Sequence, residues 1–438
     1  MQTTLPTPPE ETSVGNHFIA NYPPFSCWSP DHIPAYEAEL EESANGRPLS
    51  FYVHLPFCRQ RCHYCYFRTY PRRTREDIDR YIQALIAEFA LYQKKPAVKG
   101  RPIRSVYFGG GTPSYLEPEQ MRHLLGGLQE QQSWDALEEG TFECEPDTTT
   151  AIKSKLLKQY GITRVSIGFQ SLNDEILRRS GRNVTVGDCI QAYHLAREVG
   201  FEEINVDLIA GLPGETDETW LKTIEKVVEL RPDCVTIYQL ELTYNSGLYA
   251  SMKGGREVEL ATWPKKQQWV DQAFSALESL GYGRVTGYMV VRDPKTWKWI
   301  YPVETFWKGE DLLSVGESSF GYINGVHYQN RDRFDSYLEA IDQEELPLRR
   351  ALQLTEDEKL RREIILQLKT GHLDPEYFRC KFGVNLLKDF AVPFAQLREA
   401  GLLDNNTETI RLSRQGLLQV DRFLPLFYRP EHIDARYT

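Results

Sequence analysis

Cys58, Cys62 and Cys65 lie in the stretch HLPFCRQRCHYCYF, four and three residues apart. On one loop those spacings let the sulfurs converge on a common centre, and three thiolates are one ligand short of a closed tetrahedral site. Zinc held by a loop ordinarily gathers four ligands at paired Cys-x-x-Cys spacing, and neither a further nearby cysteine nor a His-x-x-His partner supplies the rest. His63 sits inside the loop, where the backbone direction aims it elsewhere. A [4Fe–4S] cluster with one iron free of protein ligands fits better than zinc, because an open iron can bind a substrate or cofactor. The other cysteines, Cys27, Cys144, Cys189, Cys234 and Cys380, are scattered and read as small buried hydrophobes.

Such a loop has to be presented by a rigid frame. A short strand, Phe51 to His54, precedes it, and the apolar runs IRSVYFGGG, GTFECE, RVSIGFQ, EINVDLIAG and CVTIYQLEL follow, with helical patterns between them. One helix opens at Thr74 with Asp77 three residues on, a capping box, and places Ile78, Tyr81, Leu85 and Phe89 on one face. Another, DETWLKTIEKVVEL, stops before Pro232. Six strands alternating with helices over residues 49–285 predict an α/β fold whose parallel sheet curls into a partial barrel. Chemistry in parallel barrels collects at the C-terminal strand ends, where the cysteines, the glycines of GGGTPS, Glu143, Gln170 and Asp207 all fall.

The alternation stops after about Gly281. Residues 286–350 are rich in aromatics and glycine and are expected to form an extension that closes over the site; residues 1–48 form an N-terminal arm. From Leu354 a helical part begins, with a second capping box at Thr355 and Glu358, a helix stop at Gly401, a hairpin turning at Asn405 and Asn406, and a final helix. Residues 351–438 thus predict a winged-helix-like lobe, with Leu387, Phe394 and Leu397 on a face that docks it to the rest of the chain. A lid role is favoured over DNA binding.

The chain has 438 residues, 41% hydrophobic and 12% aromatic, enough for more than one lobe around a sizeable core. A net charge of −11 argues against a general nucleic-acid binder, since phosphate contacts need a basic surface. No apolar run has membrane length, and the start MQTTLPTPPEETSVGNHF lacks the order of a secretory signal, so a cytoplasmic, monomeric enzyme with no membrane or nucleic-acid partner is expected.

In CRQRCHYC the Cys-x-x-x-Cys-x-x-Cys spacing resembles that of the radical S-adenosylmethionine superfamily. More narrowly, FYVHLPFC, YFGGGTPSYL, FECEPDT, VSIGFQSLNDEIL, NVDLIAGLPGET and GEDLLSVG resemble, in order, the oxygen-independent coproporphyrinogen III oxidase-like (HemN-like) branch. The resemblance implies a partial (β/α)6 radical SAM barrel with a HemN-like C-terminal helical domain. It further implies a [4Fe–4S] cluster on Cys58, Cys62 and Cys65, two S-adenosylmethionine molecules, and an electron donor such as flavodoxin or ferredoxin. Cleavage of adenosylmethionine would yield a 5′-deoxyadenosyl radical, a strong hydrogen-atom abstractor, to act on a small-molecule substrate. Carried over position by position, Tyr52, Tyr64, Gly110, Gly111, Thr112, Glu143, Gln170, Arg182, Asp207, Glu241 and Phe320 would contact the adenosylmethionine. Glycine alone permits close backbone approach, a carboxylate suits ribose hydroxyls or an ammonium, and Arg182 suits a carboxylate.

Departures from the branch choose among its reactions. The porphyrinogen decarboxylases carry a further cysteine two residues after the third, where this chain has Phe67 following Tyr66, and they begin with a Gly-Pro-Arg-Tyr-Thr-Ser-Tyr-Pro arm where this chain reads NYPPFSCW. Haem-chaperone relatives have His-Asn-x-x-Tyr-Trp where this chain has Pro302, Val303, Glu304, Thr305, Phe306 and Trp307. The expectation is therefore C-methyl or methylene transfer to an unactivated carbon from a second adenosylmethionine, with Glu241 altering the floor of the second site. Oxidative decarboxylation of coproporphyrinogen III and non-enzymatic haem trafficking are the alternatives.

Overall fold

In the computed structural model, residues 11–15, 17–44, 46–404, 409–433 and 435 are described; the hairpin turn expected at Asn405 and Asn406 lies outside them. The chain divides into two units: a first of Trp28–Leu208 with Lys298–Gln353, and a second of Met1–Cys27, Ile209–Trp297 and Leu354–Thr438.

The first unit is built on a parallel sheet. Strands Leu49–Leu55, Ile103–Gly110, Glu139–Cys144, Arg164–Gln170 and Glu203–Ala210 follow one another in space as in sequence, each pair parallel. Helices Arg75–Tyr92, Pro118–Gln131, Ala151–Gln159 and Val186–Val199 make the crossovers. Because the helices cover the sheet, the strands are nearly continuous runs of buried residues, as in the tract Arg164–Gln170. The expected capping box forms: Thr74 Oγ1 accepts from Asp77 N, the Asp77 carboxylate accepts from Thr74 N, and Ile78, Tyr81, Leu85 and Phe89 face the core.

Much of the segment expected to close over the site instead lengthens the sheet. Leu312–Val315 pairs parallel with Leu49–Leu55, and Phe320–Ile323, Val326–Asn330 and Leu348–Gln353 continue antiparallel from it. The signal was present in YINGVHY. Asn324 and Gly325 both adopt positive φ, 49° and 86°, the backbone of a two-residue hairpin turn that an Asn-Gly pair favours.

In the second unit, Cys234–Gln239 pairs antiparallel with Met289–Val291, which pairs with Gly283–Arg284. Helix Asp217–Leu230 ends before Pro232 as expected, and its Trp220 is fully buried, donating to Trp269 O of helix Trp263–Glu278 at 2.9 Å. The C-terminal lobe runs helix Glu356–Leu368, capped by Thr355 and Glu358, then Pro375–Phe382, Leu386–Asp389 and Ala391–Glu399, with His372–Leu373 paired to Ile410–Arg411. Phe394 and Leu397 do not form a docking face. Both are fully buried in a core that the lobe shares with Ile19 and Tyr22 of the N-terminal segment, Phe394 against Phe427 at 5.2 Å, while Leu387 packs partly buried on that core. Among the described residues no helix is long and apolar enough to cross a membrane.

Candidate functional site

The strand Leu49–Leu55 delivers the chain into the cysteine loop, whose base is closed where Phe57–Cys58 pairs with Tyr70–Pro71 and Tyr70 N donates to Pro56 O at 2.7 Å. Gln60 Nε2 donates to Gly181 O at 2.8 Å and His63 N to Ser180 O at 3.0 Å, fixing the loop to the turn after helix Asp174–Arg179. The His63 ring lies against that turn, Nδ1 being 3.1 Å from Arg179 O, so it is directed away from the thiols as expected. Cys58 is buried, and Cys62 and Cys65 are partly exposed. Burial pushes the Cys58 thiol up to about 12 against the pull of Thr112, whose Oγ1 is 3.4 Å from its sulfur; burial raises Cys65 too. A bound metal inverts this, since a coordinating thiol is deprotonated. Among the described residues no three His, Cys, Asp or Glu side chains converge as ligands of a single ion. Thiolates of a cubane cluster each take a different iron and stand farther apart, so the donor set remains one that fits such a cluster.

The glycine turn after strand Ile103–Gly110 presses on this loop. Gly111 N donates to Leu55 O at 2.8 Å and Thr112 N to Phe57 O at 2.7 Å. A Cβ on Gly111 would stand 2.7 Å from Phe57 O and 2.9 Å from Leu55 O; one on Gly110, whose φ is 114°, would meet the His54 ring at 2.5 Å. These glycines are required by backbone approach before any ligand is considered.

At the next strand end, Glu143 accepts from Tyr107 Oη at 2.8 Å and Gly110 N at 3.2 Å. Burial raises its carboxyl to about 7; the two hydrogen bonds oppose the shift and Asp207 adds to it. Tyr52, Tyr107 and Tyr301 form a stack with centroids 5.1 to 6.4 Å apart, and Tyr52 Oη lies 3.2 Å from His54 Nδ1. Asp207 accepts from Ser166 Oγ at 2.7 Å and Asn205 Nδ2 at 2.9 Å.

Arg182 ties the strand ends to the cysteine loop. Its guanidinium donates to Glu145 at 2.5 Å, Gly168 O at 2.5 Å and Tyr64 Oη at 3.1 Å, and stands 3.8 Å from the Cys62 sulfur. Burial alone would lower its pKa, but Glu145 and Tyr64 outweigh that and hold it well above the ordinary value. Gln170 sits at a register shift with φ of 65°, a left-handed conformation costly for a residue with a Cβ and a common mark of functional strand ends.

Tyr52, Tyr64, Gly110, Gly111, Thr112, Glu143, Gln170, Arg182 and Asp207 thus share the first unit with the three cysteines. Phe320 is in this unit too, on the second strand out from Leu49–Leu55, its ring edge-on to Trp28 at 6.5 Å. Glu241 belongs to the second unit, where it accepts from His17 N at 3.0 Å and burial raises its carboxyl to about 8. Sequence reasoning passed over Glu145, Tyr107 and Tyr301. Glu145 was legible as the second acid of FECEPDT, two residues beyond Glu143 and just past the strand end, whereas nothing local marks Tyr301 as a neighbour of Tyr107.

The Radical SAM superfamily profile matches residues 52–227 and the HemN C-terminal domain profile residues 354–418. The chain is 30% identical to the heme chaperone HemW of Bacillus subtilis over 373 residues, 84% of this chain and 96% of that protein. It is 27% identical to the oxygen-independent coproporphyrinogen III oxidase of Escherichia coli over 387 residues, 85% of this chain and 84% of that protein. Among solved structures, coproporphyrinogen III oxidase (HemN) from Escherichia coli, described as a radical SAM enzyme, superimposes with a TM-score of 0.82 at 26% identity, covering 94% of this chain and 96% of that one.

Proposed function

The chain belongs to the HemN-like family of the radical SAM superfamily, and on that premise we propose that it is an S-adenosylmethionine-cleaving enzyme that alkylates an unactivated carbon of a small molecule by methyl or methylene transfer. The observation that carries the radical reading is the loop of Cys58, Cys62 and Cys65 clasped by the Gly110–Thr112 turn and by Arg182, three thiols held together with a backbone cradle beside them. Those cysteines would hold the [4Fe–4S] cluster. When bound, cluster and adenosylmethionine together supply a 5′-deoxyadenosyl radical able to abstract a hydrogen atom.

The chain's own residues prepare the place for it. Gly110 and Gly111 leave the turn without a Cβ, so that it seats against Leu55 and Phe57 and holds Thr112 beside the Cys58 sulfur. Glu143, half-buried and held by Tyr107 and Gly110, offers its carboxyl to hydroxyl or ammonium groups, and Asp207 is oriented for the same task by Ser166 and Asn205. Arg182 fixes Tyr64 against the loop.

Transfer of carbon is preferred over the named activities of the relatives because two features tied to those activities are replaced. Phe67, half exposed beside Tyr66, stands where the decarboxylases place a further cysteine, and Pro302 and Val303 replace the His-Asn pair of the haem-chaperone pattern. The test is an anaerobic assay of reconstituted protein that follows 5′-deoxyadenosine and S-adenosylhomocysteine together. Both products are expected in a fixed ratio with a carbon-acceptor substrate. 5′-Deoxyadenosine alone with coproporphyrinogen III would establish decarboxylation instead, and stoichiometric haem binding without consumption of adenosylmethionine would establish trafficking.

A further inference from the structure

The second unit contains a small recess formed where residues 17–18, the end of strand Cys234–Gln239, the start of helix Trp263–Glu278 and residues 418–422 meet. The N-terminal segment is pinned there: Gly15 N donates to Leu242 O at 2.9 Å, Thr12 Oγ1 to Ala261 O at 2.7 Å, and Ile19 N to Asp421 at 3.0 Å. The recess wall gathers buried polar atoms that have no hydrogen-bond partner among the described residues. They are His17 Nε2, Gln239 Oε1, Glu241 Oε2, Trp263 Nε1, Gln267 Nε2 and both terminal nitrogens of Arg422. Buried donors and acceptors are satisfied in nearly all native interiors, so this many orphans in one place describe a surface shaped for a molecule with complementary groups.

Their types specify that molecule. The donors are a guanidinium fork, an indole N–H and an amide NH2, the set that recognises a planar carboxylate. Arg422 has its guanidinium over the Trp263 ring, 4.8 Å from the centroid, and no carboxylate among the described residues bonds to its terminal nitrogens. Asp421, the adjacent acid, is already engaged by Lys369 at 2.7 Å, Ile19 N and Tyr288. The orphan acceptors, Gln239 Oε1 and Glu241 Oε2, call for an N–H or O–H on the same ligand. A dianion such as phosphate would bring two charges to one unengaged guanidinium, with the Asp421 carboxylate alongside. A singly charged acid leaves the recess balanced.

We infer that this recess binds a monocarboxylic acid that also carries an amino or hydroxyl group, its carboxylate on Arg422, Trp263 and Gln267 and its donor on Gln239 and Glu241. Sequence resemblance carries Glu241 to an adenosylmethionine contact; the structure surrounds it with a polar set of its own. The burial that raises the Glu241 carboxyl to about 8 fits this assignment, since a neutral Glu241 does not repel the incoming carboxylate.

The experiment is calorimetric titration of the full-length, cluster-reconstituted protein with L-serine and L-lactate, set against serinamide and lactamide, which keep the donor and lose the carboxylate. Millimolar binding of an acid is expected, with its amide weaker by about tenfold or more. Arg422→Gln should remove acid binding. Gln267→Glu, which changes a partly exposed side chain and puts an anion beside the carboxylate, should do the same while circular dichroism shows a folded protein. Equal binding of acids and amides, no binding of either acid, or unchanged binding in a folded Gln267→Glu variant would overturn the inference and leave a recess filled by water. Displacement of the bound acid by one equivalent of S-adenosylhomocysteine would overturn it too, by showing that the recess receives the adenosyl cofactor.

Discussion

Removing the Arg182 guanidinium is the most demanding test of how the site is held together. The side chain is 3% exposed and its partner Glu145 24% exposed, and the guanidinium also satisfies Gly168 O and Tyr64 Oη. Breaking a buried ion pair from one side costs about 3–5 kcal/mol, because the remaining charge stays buried without its partner. Water reaching the exposed quarter of Glu145 trims that, so Arg182→Met should lose about 3 kcal/mol, the lower end of the range. Glu145→Gln removes the stranded charge. In the double variant, Arg182→Met with Glu145→Gln, about 2 kcal/mol of the loss should return, the remainder reflecting Gly168 O left without its donor. Urea unfolding at pH 7, followed by circular dichroism on the two single variants and the double, measures the coupling. Iron content after reconstitution reports whether the cysteine loop loosens when Arg182 no longer reaches Tyr64 and Cys62. Additive single losses, with coupling under about 0.5 kcal/mol, would refute the claim that the pair acts as a unit.

Gly111→Ala drives a Cβ to within 2.9 Å of two backbone carbonyl oxygens and should cost about 1–3 kcal/mol and lower iron retention; an unchanged melting temperature would show that the turn has slack. Cys58→Ala, Cys62→Ala and Cys65→Ala should each abolish cleavage of adenosylmethionine, whereas Cys380→Ala, at an exposed thiol of the C-terminal lobe, should leave it intact, as read by 5′-deoxyadenosine formation. Glu88 is fully buried and accepts from Tyr337 Oη, Gly316 N and Asn330 Nδ2, and burial raises its carboxyl from 4.5 to about 7. A raised acid binds its proton more tightly when folded, so its contribution to stability is full below pH 4.5 and is lost as pH rises to 7. Glu88→Gln should therefore remove up to about 3 kcal/mol of that decline, an upper bound from the size of the rise, and identical pH profiles for the two proteins would contradict the assignment. Phe394→Asp places a charge in the lobe's own core and should unfold the lobe, by hydrogen exchange of residues 356–399, where a docking role would leave the lobe folded.

The chain's local chemistry determined a good deal by itself. Cysteine spacing, capping boxes at Thr74 and Thr355, and apolar runs broken by helical periodicity are statements about residues close in sequence, and the strands and helices they announced are present within a residue or two. The Asn324-Gly325 turn was equally local and was missed because aromatics and glycines around it drew attention to a covering role. Tertiary structure alone decided the rest. Tyr301 meets Tyr107 and Arg182 meets Glu145 across 194 and 37 residues of chain, pairings that depend on which strands and crossovers lie side by side. The left-handed backbone of Gln170 arises from a register shift between two strands, not from any preference of glutamine. Phe394 reads as one face of an amphipathic helix, but only the folded lobe shows that this face is already covered by Phe427. Glu241 is the sharpest case. Its neighbours His17, Trp263 and Arg422 come from the two ends of the sequence and from a helix between them, and burial among them, which no local pattern encodes, sets both its charge and what it can bind.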